Sequence, residues 1–233
     1  MNDARVIAME QGDVYEYRAF FSKSGRARYI SHLDLYRTVQ RSFKRAGLPV
    51  WHTLGFNPHI YLTFPLPISL GYEGVQESFD FRLCESLPAK QVIERLNAAF
   101  PEGIRVNALG APEKKPEAIA SARYTLTLSA KGCPPAELLA RWQAFLAKPE
   151  LPAQKRSKKG VKTVDLKPMV LQASAQTDAE NGLKLSLLLT AGISLNLNPT
   201  LLTDTFGEQA GLSLDYHLIR REEILCGDGG SFR

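Results

Sequence analysis

The sequence offers little that could hold a metal ion or a framework of disulfides. Its three cysteines, Cys84, Cys133 and Cys226, are odd in number and far apart. That spacing excludes a disulfide scaffold and any CxxC-type zinc or cluster site built from this chain alone. Four histidines are present, and no His, Asp or Glu spacing matches a ligand set. No apolar run approaches the ~20 residues that span a bilayer. Leu183 to Leu197 comes nearest, and Lys184, Ser186 and Asn196 interrupt it. The opening residues, MNDARVIAMEQG, carry acids and lack the apolar centre of an export signal. The expectation is a cytoplasmic protein with no cofactor and no metal. The remainder is ordinary for a folded chain: 44% hydrophobic and 23% charged residues in 233. That length suits one large domain or two of about 110 residues.

Charge is the uneven feature. Lys23 to Arg45 holds seven cations (Lys23, Arg26, Arg28, Arg37, Arg41, Lys44, Arg45) against Asp34. Lys155 to Lys167 holds six (Lys155, Arg156, Lys158, Lys159, Lys162, Lys167) against Asp165. These thirteen cations and two acids carry a surplus of eleven, so a net charge of +5 leaves the rest of the chain six negative. Solvated surfaces usually intersperse the signs. Two basic patches on an acidic body point to a polyanion, most simply nucleic acid; otherwise they are two solvated faces.

The pattern of elements reads as strand (Tyr15 to Phe21), helix, two strands, helix and strand. The first helix opens on Ser31, whose spacing to Asp34 is that of a capping box, and stops at Gly47 before Pro49. Strands follow at Ile60 to Leu66 and Gln76 to Leu83, then a helix from Pro88 to Phe100 and a strand from Ile104 to Leu109. This is the split βαβ order of a ferredoxin-like domain. After a Pro- and charge-rich linker, Ala111 to Ser121, the order recurs. A strand spans Arg123 to Ser129 and a helix Pro135 to Ala147. Val164 to Ala175 and Leu183 to Thr190 read as a strand pair, followed by a helix from Pro199 to Phe206 capped by Asn198. A final strand falls within Leu212 to Leu225, and Cys226 to Arg233 reads as a frayed tail. The expected architecture is α+β: two ferredoxin-like halves with antiparallel sheets. Residues 1–112 hold the basic helix and a GFNP turn, and 113–233 hold a KKG basic hairpin.

The first helix has two faces. At ~100° per residue, Leu35, Tyr36, Val39, Phe43 and Ala46 share one arc, and Arg37, Arg41, Lys44 and Arg45 fill the opposite one. Three of those four cations are Arg, whose planar fork grips phosphate oxygens in pairs. His32, on the apolar side, is either a hydrogen-bonded core histidine or a titratable group at the mouth of a groove, able to act as general base or grip a phosphate. His52 and His59 flank Gly55-Phe56-Asn57-Pro58. In that turn Phe56 either stacks on a base beside Asn57 or plugs the core. His217, in a strand, reads as structural. Lys158-Lys159-Gly160-Val161-Lys162 reads as a basic hairpin tip with exposed amides at Gly160. Asp165 there either orders the lysines by a salt bridge, the reading slightly favoured, or forms a turn. The predicted nucleic-acid-binding set is Arg28, Arg37, Arg41, Lys44, Arg45, Phe56, Asn57, Lys158, Lys159, Gly160 and Lys162. The helix cations and the hairpin are expected to converge on one cationic trough.

Together, RYISHLDLYRTVQRSFKRAGLPV, GFNPH, LPISLG, ESFDF and KKGVKTVDLKP resemble the radical-SAM-linked protein family of unknown function, over roughly residues 14 to 225. The pattern carries to Ser31, His32, Asp34, Gly55, Phe56, Asn57, Pro58, Gly71, Glu77, Lys159, Gly160, Asp165 and Leu166. Thr53-Leu54 departs from the more polar pair usual before GFNP. The resemblance implies association with a radical-SAM protein, and the missing CxxxCxxC places any radical step in that partner. A weaker likeness is to RAMP-type RNA-processing proteins of CRISPR systems, some of which use a first-helix histidine as base. Their Gly-rich loop is not evident here. The reading that absorbs most of these features is a non-catalytic RNA-binding module, for tRNA or rRNA, acting with a radical-SAM partner. The alternatives are a metal-independent endoribonuclease with His32 as its catalytic residue and Tyr36 or Lys159 steadying the phosphate, and a protein-interaction subunit without nucleic acid.

Overall fold

The computed structural model describes residues 5–9, 12–157, 160–178, 180, 182–193 and 195–233. The chain divides into two compact units, Met1–Ala118 with Ser231–Arg233, and Ile119–Gly230. The division expected after residue 112 falls after Ala118, because a 3-10 turn, Pro116–Ala118, leads directly into the next strand.

The first unit contains β1 (Arg5–Met9), β2 (Gly12–Lys23), α1 (His32–Arg45), β3 (Leu62–Thr63), β4 (Glu73–Leu83), α2 (Ala89–Ala99) and β5 (Ile104–Gly110). Its strands lie in the order β5-β2-β4-β3 with every neighbour antiparallel; Ala19 of β2, for example, lies opposite Phe79 on one side and Leu109 on the other. β1 extends the sheet as a hairpin onto the start of β2. This is the ferredoxin-like arrangement, in which each βαβ pair is split by a strand of the other. The core forms where the apolar stripe of α1 meets the sheet. Leu35, Val39 and Phe43 are fully buried, and the Phe43 ring lies 4.8 Å from that of Phe81. The strand expected over Ile60 to Leu66 shrinks to two residues, because Pro65 and Pro67 lack the N–H groups a ladder needs.

The second unit contains β6 (Ile119–Ala130), α3 (Pro135–Leu146), β7 (Pro152–Ser157), β8 (Gly160–Asp165), β9 (Val170–Asp178), β10 (Gly182–Thr190), α4 (Pro199–Ala210) and β11 (Leu214–Cys226). Its strand order, β11-β6-β10-β9, is again antiparallel throughout. Leu183, Leu185, Leu187 and Leu189 alternate into the core with the period of a half-buried strand, and Trp142, Phe145 and Phe206 pack as a ring cluster from the helices. The continuous strand read over Val164 to Ala175 is broken. Leu166 folds back to donate its amide N–H to the Leu151 carbonyl, Lys167–Met169 form a 3-10 turn, and β7-β8 become a separate two-stranded ribbon. Both halves of the chain are therefore ferredoxin-like, the second with a ribbon inserted between α3 and β9. The tail expected to fray is anchored: Phe232 is buried, with the Arg18 guanidinium 4.2 Å over its ring, and Arg233 accepts the amide of Lys114. No described helix is long and apolar enough to cross a membrane.

Candidate nucleic-acid interface

The site is built outward from α1. Ser31 caps the helix, its Oγ accepting the Asp34 amide at 3.2 Å and donating to the Asp34 carboxylate at 2.7 Å. That hydroxyl, then the Arg37 guanidinium at 3.3 Å, holds the Asp34 carboxyl below its usual range against the opposing effect of burial. With Leu35, Val39 and Phe43 buried against the sheet, Arg37, Arg41, Lys44 and Arg45 are left exposed. Arg37 is partly engaged by Asp34. Among the described residues neither the Arg41 nor the Lys44 side chain makes a hydrogen bond or ion pair.

The four cations do not act as one set. Arg45 turns away to donate to the carbonyl of Ala99, the last residue of α2, at 2.6 Å, while Arg95 of α2 donates to the carbonyls of Ala46 and Gly47 at the end of α1. Each helix thus satisfies the other's unpaired C-terminal carbonyls with an arginine. Arg45, a member of the predicted binding set, thus has one guanidinium nitrogen committed to the end of α2. Lys23, counted in the basic segment, is fully buried and donates to the carbonyls of Arg28 and Ile30. Arg28 is half-buried in the 3-10 turn Gly25–Tyr29, where it stacks on Tyr29 and donates to its hydroxyl at 2.8 Å.

Residues 51–61 form the second wall. Thr53 pairs with His59 through an amide–carbonyl bond of 2.8 Å, and His52 bridges Ile60. This makes a short hairpin with GFNP at its tip. Gly55 has φ of +118°, a conformation L side chains rarely adopt, so the turn requires glycine. His59 Nδ1 lies 3.0 Å from the Thr53 hydroxyl and 3.1 Å from the Asn57 carbonyl, which ties the ring to the turn. Phe56 is 112% exposed and Leu54 64%, so Phe56 is no core plug.

Between these walls lies a cleft of about 380 Å³, lined by Arg37, Gln40, Arg41 and Lys44 of α1 and by His52, Pro58 and His59 of the hairpin. Two segments about fifteen residues apart in sequence, each a separate motif, are brought onto one concavity. Gln40 and the histidines were not in the predicted binding set; His52 and His59 were noted only as flanking the turn. A larger cavity of about 660 Å³, between β5 and residues 231–233, contains none of the predicted residues.

His32 is half-buried, edge-on to Phe64 at 5.2 Å, with a buried Nδ1 that has no hydrogen-bond partner. It is therefore not the hydrogen-bonded core histidine the sequence allowed. Burial, then the nearby Lys23 ammonium, pushes its pKa down. It does not line the cleft.

In the second unit the ribbon brings Lys155 opposite Lys162 and Ser157 opposite Gly160. Lys158 and Lys159 lie outside the described residues. Lys162 and Gly160 are exposed. Asp165 Oδ1 accepts the amides of Leu151 at 2.7 Å and Lys167 at 3.0 Å, which pins the ribbon's base and lowers its pKa, so it serves as a turn-former there. His217 pairs with Ser129 across strands at 2.8 Å. The basic helix and the ribbon belong to different units.

A family model described as "Uncharacterized protein conserved in bacteria (DUF2344)" matches residues 16–199. The chain belongs to this family. No curated protein matches it. Among solved structures, it is similar to a chain of a Cbf5-Nop10-Gar1 complex, at 11% identity and a TM-score of 0.51, over 89% of this chain. It spans about half, 48%, of the length of that chain. A putative glycine cleavage system transcriptional repressor is matched over 87% of this chain and 97% of its own, at 12% identity and a TM-score of 0.22. At these identities the first likeness concerns the fold alone.

Proposed function

We propose that this DUF2344 member is a cytoplasmic, non-catalytic RNA-binding module, for tRNA or rRNA, that acts with a radical-SAM partner. The observation that carries the reading is the cleft in which the Arg37, Arg41 and Lys44 side chains face His52 and His59 of the hairpin that carries the fully exposed Phe56. Guanidinium and ammonium groups bind phosphate oxygens, and a solvent-facing aromatic beside them offers a platform for an unpaired base. Duplex RNA would not present a base to such a tip, so the ligand is a loop, bulge or end. The β7-β8 ribbon supplies a second basic element. The radical-SAM partner rests on the motif resemblance, and the cytoplasmic setting accords with three free thiols.

The test is RNA affinity as a function of salt. Neutralised phosphates release counterions, so log affinity falls with log salt by roughly 0.7 per phosphate contact on a single strand. The variant R37A/R41A/K44A should shallow that slope by about 1.4 to 2, the lower figure if Arg37 stays with Asp34. An unchanged slope, or no binding by the parent, overturns the reading. Two further assays separate the alternatives. RNA cleaved in EDTA by the parent and not by H32A would establish a nuclease. A partner complex that survives nuclease treatment, with no RNA affinity, would establish a protein-interaction subunit.

A further inference from the structure

β9 forms an outer edge of the second unit's sheet: it pairs with β10 on one side, and no described strand pairs with its other side. Nine-residue edges of this kind are hazardous, and proteins usually blunt them with lysine, proline or bulges. Here the strand reads Val-Leu-Gln-Ala-Ser-Ala-Gln-Thr-Asp, with no lysine, no proline and one charge, at its end. Its single irregularity lies at the start, where the register with β10 slips between Gln172 and Val170. Gln172 to Thr177 is regular, and Gln172, Ser174 and Gln176 are exposed.

The sequence of that regular stretch is symmetric. Gln172-Ala173-Ser174-Ala175-Gln176 reads the same in both directions. A two-fold axis relates two identical antiparallel strands, so each residue meets its mirror position. With the axis at Ser174, Ser174 meets Ser174 of a second copy, Gln172 meets Gln176, and Ala173 meets Ala175. Every polar pair is then hydrogen-bonding and uncharged, and Ala173 and Ala175, opposite Leu187 and Leu185 of β10, put only small side chains on the other face. A heterologous strand would gain nothing from this symmetry. We infer that β9 is a self-pairing edge through which two copies of the chain form a dimer with a sheet continuous across the axis.

Sedimentation velocity on the full chain over a concentration series tests this. The parent should dimerise, and S174K, which sets two lysines against each other on the axis, should raise the dimer dissociation constant about tenfold or more while leaving the circular dichroism spectrum unchanged. Cross-linking provides a second readout, independent of that variant. In a background with Cys84 and Cys133 replaced by serine, S174C should oxidise to a covalent dimer, because directly opposed Cβ atoms approach within about 5.5 Å. Q172C, whose counterpart is four positions along the facing strand, should not. A parent that is monomeric at all concentrations, a dimer indifferent to S174K, or equal cross-linking of both cysteine variants would overturn the inference. So would a monomeric parent that instead pairs with a strand of another protein.

Discussion

Phe56 offers the cleanest separation of binding from folding. Its side chain is fully exposed at the tip of the 51–61 hairpin, and the turn geometry is imposed by Gly55 and Pro58 rather than by packing of the ring. Replacing it with alanine removes no buried contact, so unfolding in urea should change by no more than about 0.5 kcal/mol, the usual span for an open surface position. Stacking of one base on an aromatic side chain is worth about 1–3 kcal/mol by alanine substitution. F56A should therefore weaken single-stranded RNA binding about 5- to 150-fold at fixed salt. The ring carries no charge, so the slope of log affinity against log salt should stay as in the parent. F56W should restore most of the loss. Fluorescence anisotropy with a labelled loop oligonucleotide at three salt concentrations measures all of this. Unchanged affinity in F56A would refute stacking at the tip, and a large loss of stability would show that the ring is packed.

Other consequences concern the scaffold. R95A removes two charge-assisted bonds to the end of α1 and should cost about 1–2 kcal/mol in urea unfolding, and R45A about 1 kcal/mol, with little effect on RNA affinity. A midpoint unmoved in both would show that the reciprocal caps are ornamental. His32 has a folded pKa below its unfolded value of 6.5, so the unfolded chain binds the proton more readily. Stability contributed by neutral His32 is present above that value, is lost as pH falls through it, and stops falling once the folded state also protonates. H32Q should flatten the parent's decline in that window; an identical pH profile would contradict the assignment.

The paired ferredoxin-like halves were legible because local signals agreed with the global order. The Ser31 cap, the apolar stripe Leu35-Val39-Phe43 and the alternation in β4 and β10 each announce one element, and the order repeats. Where the reading slipped, a non-local partner decided. Lys167-Pro168 looked like the interior of a strand because the bond between Leu166 and Leu151, which folds the chain there, joins residues fifteen apart. Arg45 shares its helical arc with Arg41, yet the carbonyl that captures it belongs to Ala99, 54 residues later. The exposure of Phe56 was open on composition alone, since an aromatic beside Gly and Pro serves as readily for a plug as for a tip. The two histidines of the cleft were visible as flanking residues; that they face Arg41 and Lys44 follows only from the antiparallel return of the 51–61 hairpin.

The most direct measurement is ultraviolet cross-linking of the full chain to RNA, followed by mass spectrometric mapping of the attached nucleotide. The account predicts adducts within residues 51–61, centred on Phe56, that disappear in R37A/R41A/K44A at moderate salt. Adducts confined to other segments, with none in that hairpin, would contradict it.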